Sequence, residues 1–261
     1  MISHPLLPKL RQLKLSGMAL TLDVRAAQAN ERQLTPTEFL ALLLDDELER
    51  RSQQRLARHL KHSGCDPHKT LAQFNFAEAP GVNRTTIQDL ASCAFVMRHE
   101  NILLCGPTGV GKSHLANGLA IEALKRGLRV LSRPTQRWLS ELHAARASGT
   151  YARMLTKTVS TDVLILDDFG LQPLSPQAAQ DLYDIIGQRY ERGSLIITSN
   201  RAFEEWAEVF GNDLLASAAL DRLTHHCHMF VIRGESYRQR SRRKELTGTP
   251  TVLPTDTLAQ P

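Results

Sequence analysis

Residues 106–113 read Gly-Pro-Thr-Gly-Val-Gly-Lys-Ser and fit the pattern G-x-x-x-x-G-K-[ST]. That spacing serves polyphosphate binding. Gly106, Gly109 and Gly111 let the backbone curl around Pro107, Thr108 and Val110 so that its N–H groups face phosphate oxygens. The helix that opens at the end of the loop adds a partial positive charge. Lys112 is placed to reach the β- and γ-phosphates, Ser113 to ligate Mg²⁺, and His114 to continue the same wall. A second group is the apolar run Val163–Leu166 ending in Asp167 and Asp168. A carboxylate at the carboxyl end of such a strand stands beside the phosphate loop. Asp167 is expected to hold Mg²⁺ through water, and Asp168 to orient or deprotonate a water in line with the γ-phosphorus. A third strand-like run ends in Thr198-Ser199-Asn200. Asn200 is the candidate to hydrogen-bond the attacking water or a γ-phosphate oxygen; standing alone it would read as a turn former.

These groups need a scaffold that alternates strands and helices. Candidate strands are 102–105, 128–132, 163–167, 195–199 and 229–232. Helical patterns lie between them at 113–126, 136–147, 176–191, 204–210 and 214–223. Short apolar strands alternating with helices predict a mostly parallel sheet covered on both faces. The first hundred residues read as helical instead. Thr35-Pro36-Thr37-Glu38 is a helix start with a capping box and a proline suited to the first turn. Leucines then recur at helical spacing towards Lys61. A shorter helix is expected over 6–28 and another over 85–97, with a connector between Cys65 and Asn83 anchored by Phe74 and Phe76. The stretch 247–261, rich in Thr and Pro, reads as a disordered tail.

The chain has 261 residues and a formal net charge of +5, a modest excess with an uneven distribution. Arg50, Arg51, Arg55, Arg58 and Lys61 form one basic group, and Arg233, Arg238, Arg240, Arg242, Arg243 and Lys244 another. Such clusters suit the phosphate backbone of duplex DNA. No run approaches the ~20 apolar residues that span a bilayer, and Met1–Leu20 has no secretory pattern, so a cytoplasmic location is expected. The four cysteines are scattered and form no disulfide framework. His225-His226-Cys227-His228 reads as a polar turn before the last strand, because structural zinc sites draw ligands from two separated pairs.

The phosphate loop, the Asp-Asp strand end and the strand ending in Ser-Asn together resemble the additional-strand ATPases of the AAA+ class. More narrowly, the chain is similar to the IstB-like transposition helper ATPases, themselves similar to the DnaC helicase loaders. That narrower likeness is carried by Glu100–Gly106, Asp167–Leu171, Ala219–Leu223, Gly234–Arg238, the Leu10–Ala19 pattern and the Lys69–Phe76 linker. The resemblance implies a five-stranded AAA+ core of order 5-1-4-3-2 after a helical N-terminal domain, without a separate C-terminal lid. It also implies ATP-dependent self-assembly on DNA and a cognate transposase as partner. Arg222 matches the trans-acting arginine finger that completes a neighbouring subunit's site. Arg238 matches either a phosphate sensor or a DNA contact. Two departures stand out. Asp168 replaces the Glu that many AAA+ enzymes carry, which implies slow hydrolysis, and Asn75 stands where the family commonly has Asp.

The expected organisation is a helical DNA-binding and assembly domain over 1–68, a linker and helix over 69–98, the ATPase core over 99–245 and a tail over 246–261. The expected activity is Mg-dependent ATP hydrolysis coupled to assembly on DNA, in the service of an insertion-sequence transposase. A helicase loader would use the same core with a helicase-docking surface in place of the basic run from Arg50 to Lys61. A small-molecule P-loop kinase would need a lid, and no segment of the sequence reads as one.

Overall fold

The computed structural model describes residues 5–79, 81–234 and 236–237. Arg238, Arg240, Arg242, Arg243, Lys244 and the expected tail lie outside the described residues.

Three helices open the chain: α1 (Leu7–Gln12), α2 (Ser16–Arg32) and α3 (Pro36–Ser63). The expected single helix over 6–28 is broken because Lys14 takes a left-handed conformation at φ +57°, turning the chain between α1 and α2. The capping box at Thr35 is present, with Pro36 in the first turn of α3. Helices α2 and α3 form a hairpin around Met18, Leu22 and Leu43. At its closest approach a Cβ on Gly17 would lie 2.6 Å from the Cα of Glu47, so only glycine fits there. Glu47 is buried and accepts the Gly17 N–H at 2.6 Å, the Met18 N–H at 3.3 Å and Arg51 Nε at 2.6 Å. Arg25 clamps Asp46 bidentately at 2.8 and 2.7 Å and holds its carboxyl down to about 2.

The connector that follows α3 contains 3-10 turns at Leu71–Gln73 and Phe76–Glu78. The helix expected over 85–97 is split into α4 (Arg84–Ala91) and α5 (Ala94–Met97), with Cys93 at φ +63° between them.

The core then alternates as anticipated: β1 (Asn101–Cys105), α6 (Lys112–Lys125), β2 (Val130–Pro134), α7 (Thr135–Ala147), α8 (Tyr151–Val159), β3 (Val163–Phe169), α9 (Pro176–Arg189), β4 (Ser194–Ser199), α10 (Trp206–Phe210), α11 (Asp213–Thr224) and β5 (Cys227–Val231). Two strands depart from the sequence reading: β2 lies two residues later, and β5 begins two residues earlier and ends one earlier. Helix α8 was not anticipated, although Tyr151, Met154, Leu155 and Thr158 carry a helical period on its inward side.

All pairings are parallel, and the strand order is β2-β3-β4-β1-β5, the order expected from the resemblance. Side chains alternate between the two faces. Ile102, Leu104, Val163, Ile165 and Ile196 pack on α6, α4, α5 and the connector. Leu103, Cys105, Leu164, Leu166, Leu195 and Ile197 pack with residues of α7, α9, α10 and α11. Each such burial contributes about 1.5–3 kcal/mol. At the amino edge of the sheet the fully buried Arg189 donates to the carbonyls of Thr158 (3.0 Å), Thr161 (2.8 Å) and Ser194 (2.8 Å). Burial pulls its pKa down to about 10, which leaves it charged at neutral pH. Among the described residues no helix is long and apolar enough to cross a membrane.

Candidate nucleotide site

The phosphate loop joins β1 to α6 at the carboxyl edge of the sheet. Its shape depends on glycine where L side chains would collide: Gly106 has φ +148° and a Cβ there would meet the Ile232 carbonyl oxygen at 2.1 Å. Gly111 has φ +95° and a Cβ there would lie 2.7 Å from the Phe74 ring. Residues Thr108 to His114 line a cleft of about 660 Å³, together with Asp167, Asp168 and Asn200. Gly106 and Pro107 lie behind it and contribute carbonyls.

Lys112 is buried at the base of the loop. Its Nζ donates to Gly106 O (2.7 Å), Pro107 O (2.8 Å) and Asn200 Oδ1 (2.7 Å). Asn200 is therefore brought to the phosphate loop from β4, as the strand-end reading required. Ser113 Oγ donates to Asp167 Oδ1 at 2.8 Å. A hydroxyl and a carboxylate side by side form the hard oxygen donor set that suits Mg²⁺.

The two aspartates are presented by a bulge. The pairing of β3 with β4 is regular from Val163↔Ser194 to Leu166↔Ile197 and resumes at Phe169↔Ser199, so β3 carries one extra residue. Asp168 takes up the excess in a left-handed conformation at φ +55°. Consecutive strand residues would point to opposite faces; with the bulge, both carboxylates reach the cleft. Thr198 fixes this geometry, since its hydroxyl donates to Asp167 Oδ1 and accepts the Asp168 N–H at 3.0 Å. Thr198 carries no signal of this role in the sequence, because a bulge leaves no compositional mark.

The connector's part in the site was also unforeseen. Lys69, Gln73, Phe74, Asn75 and Glu78 form the cleft wall facing the loop, and Leu171 and Tyr237 complete it. Phe74 packs edge-on against His114 and Phe76, with ring centroids 5.5 and 4.8 Å away. The connector is pinned to α6 by Asn117, whose Nδ2 donates to Asp66 O (2.8 Å) and Lys69 O (2.9 Å) and whose Oδ1 accepts the Asp66 N–H (2.8 Å). A ring nitrogen of His114 bonds Thr70 O at 2.8 Å. The spacing of the phenylalanines was visible in the sequence, whereas the fold-back onto α6 depends on Asn117 and on Gly118, which admits Leu71 at 2.6 Å from its would-be Cβ.

Arg222 lies elsewhere. It lines a cavity at the amino edge of the sheet with Asn101, Leu195 and His226, and its guanidinium carbon stands 4.9 Å from the centroid of the Tyr183 ring. It is not among the residues of the cleft. The basic group on α3 is placed as follows: Arg50 is half-buried and donates to Ser16 Oγ at 2.9 Å, Arg51 pairs with Glu47, and Arg55, Arg58 and Lys61 are exposed.

Comparison with known proteins agrees with this architecture. The family described as IstB-like ATP binding protein matches residues 8–245. An IS21 insertion-sequence ATP-binding protein of Pseudomonas aeruginosa is 38% identical over 251 residues, covering 96% of this chain and 95% of its own length. Its counterpart from IS5376 of Geobacillus stearothermophilus is 36% identical over 232 residues, covering 89% of this chain and 92% of its own. Among solved structures, the DnaC helicase loader superposes with a TM-score of 0.51 at 24% identity over 57% of this chain and 87% of its own. AMPPCP-bound DnaA from Aquifex aeolicus gives 0.57 at 22% identity over 74% and 58%. These two likenesses establish the AAA+ fold and nothing finer. With its family match over most of its length and relatives above one-third identity, the chain belongs to the IstB-like ATP-binding protein family.

Proposed function

We propose that the chain is an ATP-dependent switch that assembles on duplex DNA and serves an insertion-sequence transposase. The observation that carries the reading is the convergence of five separate segments on one cleft, while Arg222 lines a different cavity at the amino edge of the sheet. Lys112 and the loop amides would take the β- and γ-phosphates, the ammonium exchanging its internal carbonyl partners and Asn200 for phosphate oxygens. Ser113 and Asp167 would hold Mg²⁺, which supplies charge neutralisation between the phosphates. Asp168 and Asn200 would orient the attacking water, and Phe74 would close the cleft beside the nucleotide. The shorter reach of aspartate suits slow hydrolysis.

Arg222 would act in a neighbouring copy. It lies too far round the sheet to serve its own cleft, so hydrolysis becomes conditional on assembly. The exposed Arg55, Arg58 and Lys61, with Arg50, Arg51, Arg240, Arg242 and Arg243, would hold DNA phosphates without reading bases. The relatives named as insertion-sequence proteins favour a transposase over a helicase as the partner.

The test is to size the protein with and without ATP and duplex DNA while measuring hydrolysis in the same samples. Larger species that need both ligands support the reading. Lys112→Ala should abolish nucleotide-dependent assembly. Arg222→Ala should assemble yet hydrolyse at least a hundredfold more slowly. Normal hydrolysis by assembled Arg222→Ala protein would remove the trans role.

A further inference from the structure

The run His225-His226-Cys227-His228 follows α11, and the fold separates its members. His228 bonds Glu100 at 2.9 Å. Cys227 turns into the core beneath the sheet, where burial raises its thiol pKa. His225 and His226 remain at the surface with ring centroids 4.0 Å apart, and they meet Glu191, which comes from the turn between α9 and β4. Neighbouring residues alone do not surround an ion, so the local spacing of the run argues against a metal. The third donor stands 34 residues upstream of His225, beyond any local pattern.

We propose that Glu191, His225 and His226 form a binding site for a transition-metal dication of the Zn²⁺ class. One ligand atom from each of the three lies within 4.8 Å of the other two, and His226 Nε2 is 3.8 Å from Glu191 Oε1. Donors around tetrahedral zinc, with bonds of about 2.0–2.2 Å, stand roughly 3.3–3.5 Å apart. Closing the gap takes about 1 Å of movement from three exposed side chains. The donors are two imidazoles and one carboxylate, which favours zinc, nickel or copper over the oxygen-seeking magnesium and calcium. Three protein ligands at the surface leave a fourth position for water. His225 already has the outer partner that such ligands use: its Nδ1 bonds the Tyr190 hydroxyl at 2.8 Å, fixing the ring and leaving Nε2 available. Glu191 reaches the histidines from a left-handed backbone, φ +55°, in a turn where glycine would be the relaxed choice.

The site is independent of the nucleotide cleft, which opens at the opposite edge of the sheet. A bound ion ties the end of α9 to the end of α11. Arg222 lies one helical turn before His226, so occupancy fixes the base of its helix; that consequence, unlike the site, rests on the trans role proposed above.

The experiment titrates Zn²⁺ into the untagged full chain against a chromophoric chelator, in excess Mg²⁺, and repeats it with Co²⁺ by visible absorption. Expected are one Zn²⁺ per chain, a ligand-field band with Co²⁺, and at least tenfold weaker binding in each of His225→Ala, His226→Ala and Glu191→Gln. His228→Ala should bind as the parent does. Because all three positions are exposed, circular dichroism should be unchanged in the variants. No stoichiometric uptake, or uptake that survives the three substitutions, overturns the proposal. No nucleotide or DNA is present, so its failure leaves the ATPase reading intact, and the failure of that reading leaves the site intact.

Discussion

Asn117→Ala removes three hydrogen bonds that hold the connector against α6, of 2.8, 2.9 and 2.8 Å. Each is partly buried and contributes about 0.5–1.5 kcal/mol net, so the connector's docking should weaken by about 3 kcal/mol. That corresponds to a shift of roughly a hundredfold in its local opening equilibrium. The amides to watch are those of Phe74, Glu78 and Ala79, which bond Leu71 O, Asn75 O and Phe76 O within the connector's turns and should lose protection when the connector undocks. Hydrogen exchange should be about a hundredfold faster there, while β1 and β4 amides are unaffected. Because Phe74 would leave the cleft in the open state, affinity for a fluorescent ATP analogue should fall once opening competes with closure. Gly118→Ala should have the same effect by a different route, since its Cβ would press on Leu71. Exchange within threefold of the parent in the Asn117 variant would refute the view that this side chain holds the nucleotide wall in place.

Arg189→Met should cost about 3 kcal/mol or more in chemical denaturation, because it strands several buried carbonyl oxygens that now share one guanidinium. Gly17→Ala should destabilise the α2–α3 hairpin, read as a lower midpoint of thermal unfolding, since its Cβ would meet backbone atoms of Glu47 and Asp46 at 2.6 and 2.7 Å. The carboxyls of Asp46, clamped by Arg25, and Glu100, clamped by Arg98 and also bonded by His228, both lie at about 2 in the folded chain. Their contribution is complete above the unfolded values near 4 and is lost as pH falls towards 2; Asp46→Asn and Glu100→Gln should each flatten the acid limb of a stability–pH profile. Reversing the charge of Arg55, Arg58 and Lys61 together should weaken duplex DNA binding and lower its dependence on salt by about three counterions. An unchanged salt slope would take α3 out of the DNA interface.

The parallel core was legible because β1, β3 and β4 are largely apolar runs and most helices between the strands have their own period; β2 and β5, which include Ser132, Arg133 and His228, are the strands whose bounds shifted. The phosphate loop was legible because its glycines are dictated by backbone geometry. Asp167 could be placed from the strand it terminates. Thr198 could not, since its role depends on a bulge in the neighbouring strand. The connector's place in the cleft depends on side chains some fifty residues away, with Asn117 meeting Asp66 across 51 positions. Helix α8 has a readable period, but the Gly149-Thr150 turn beside it masks its start. The left-handed residues Lys14 and Cys93 broke two helices where neither glycine nor proline marks a stop. The pair of histidines beside Glu191 shows the same limit: local spacing argued against an ion, and the third donor came from another loop.

Helix α3 runs 28 residues without a break, about 42 Å at ~1.5 Å per residue. Its first half packs on α2, and its second half sets Leu56 and Leu60 on the core that contains α6, the helix that begins at Lys112. It therefore has the proportions of a lever with its fulcrum at the nucleotide-binding body. A tilt of about 5° at Leu56, where the helix leaves the core, would sweep its start at Pro36 through nearly 3 Å, because roughly 30 Å of helix lies between them. Small adjustments of α6 around a phosphate would in this way be enlarged at the Met18, Leu22 and Leu43 cluster, while the exposed Arg55 and Arg58, beside the fulcrum, would stay nearly still.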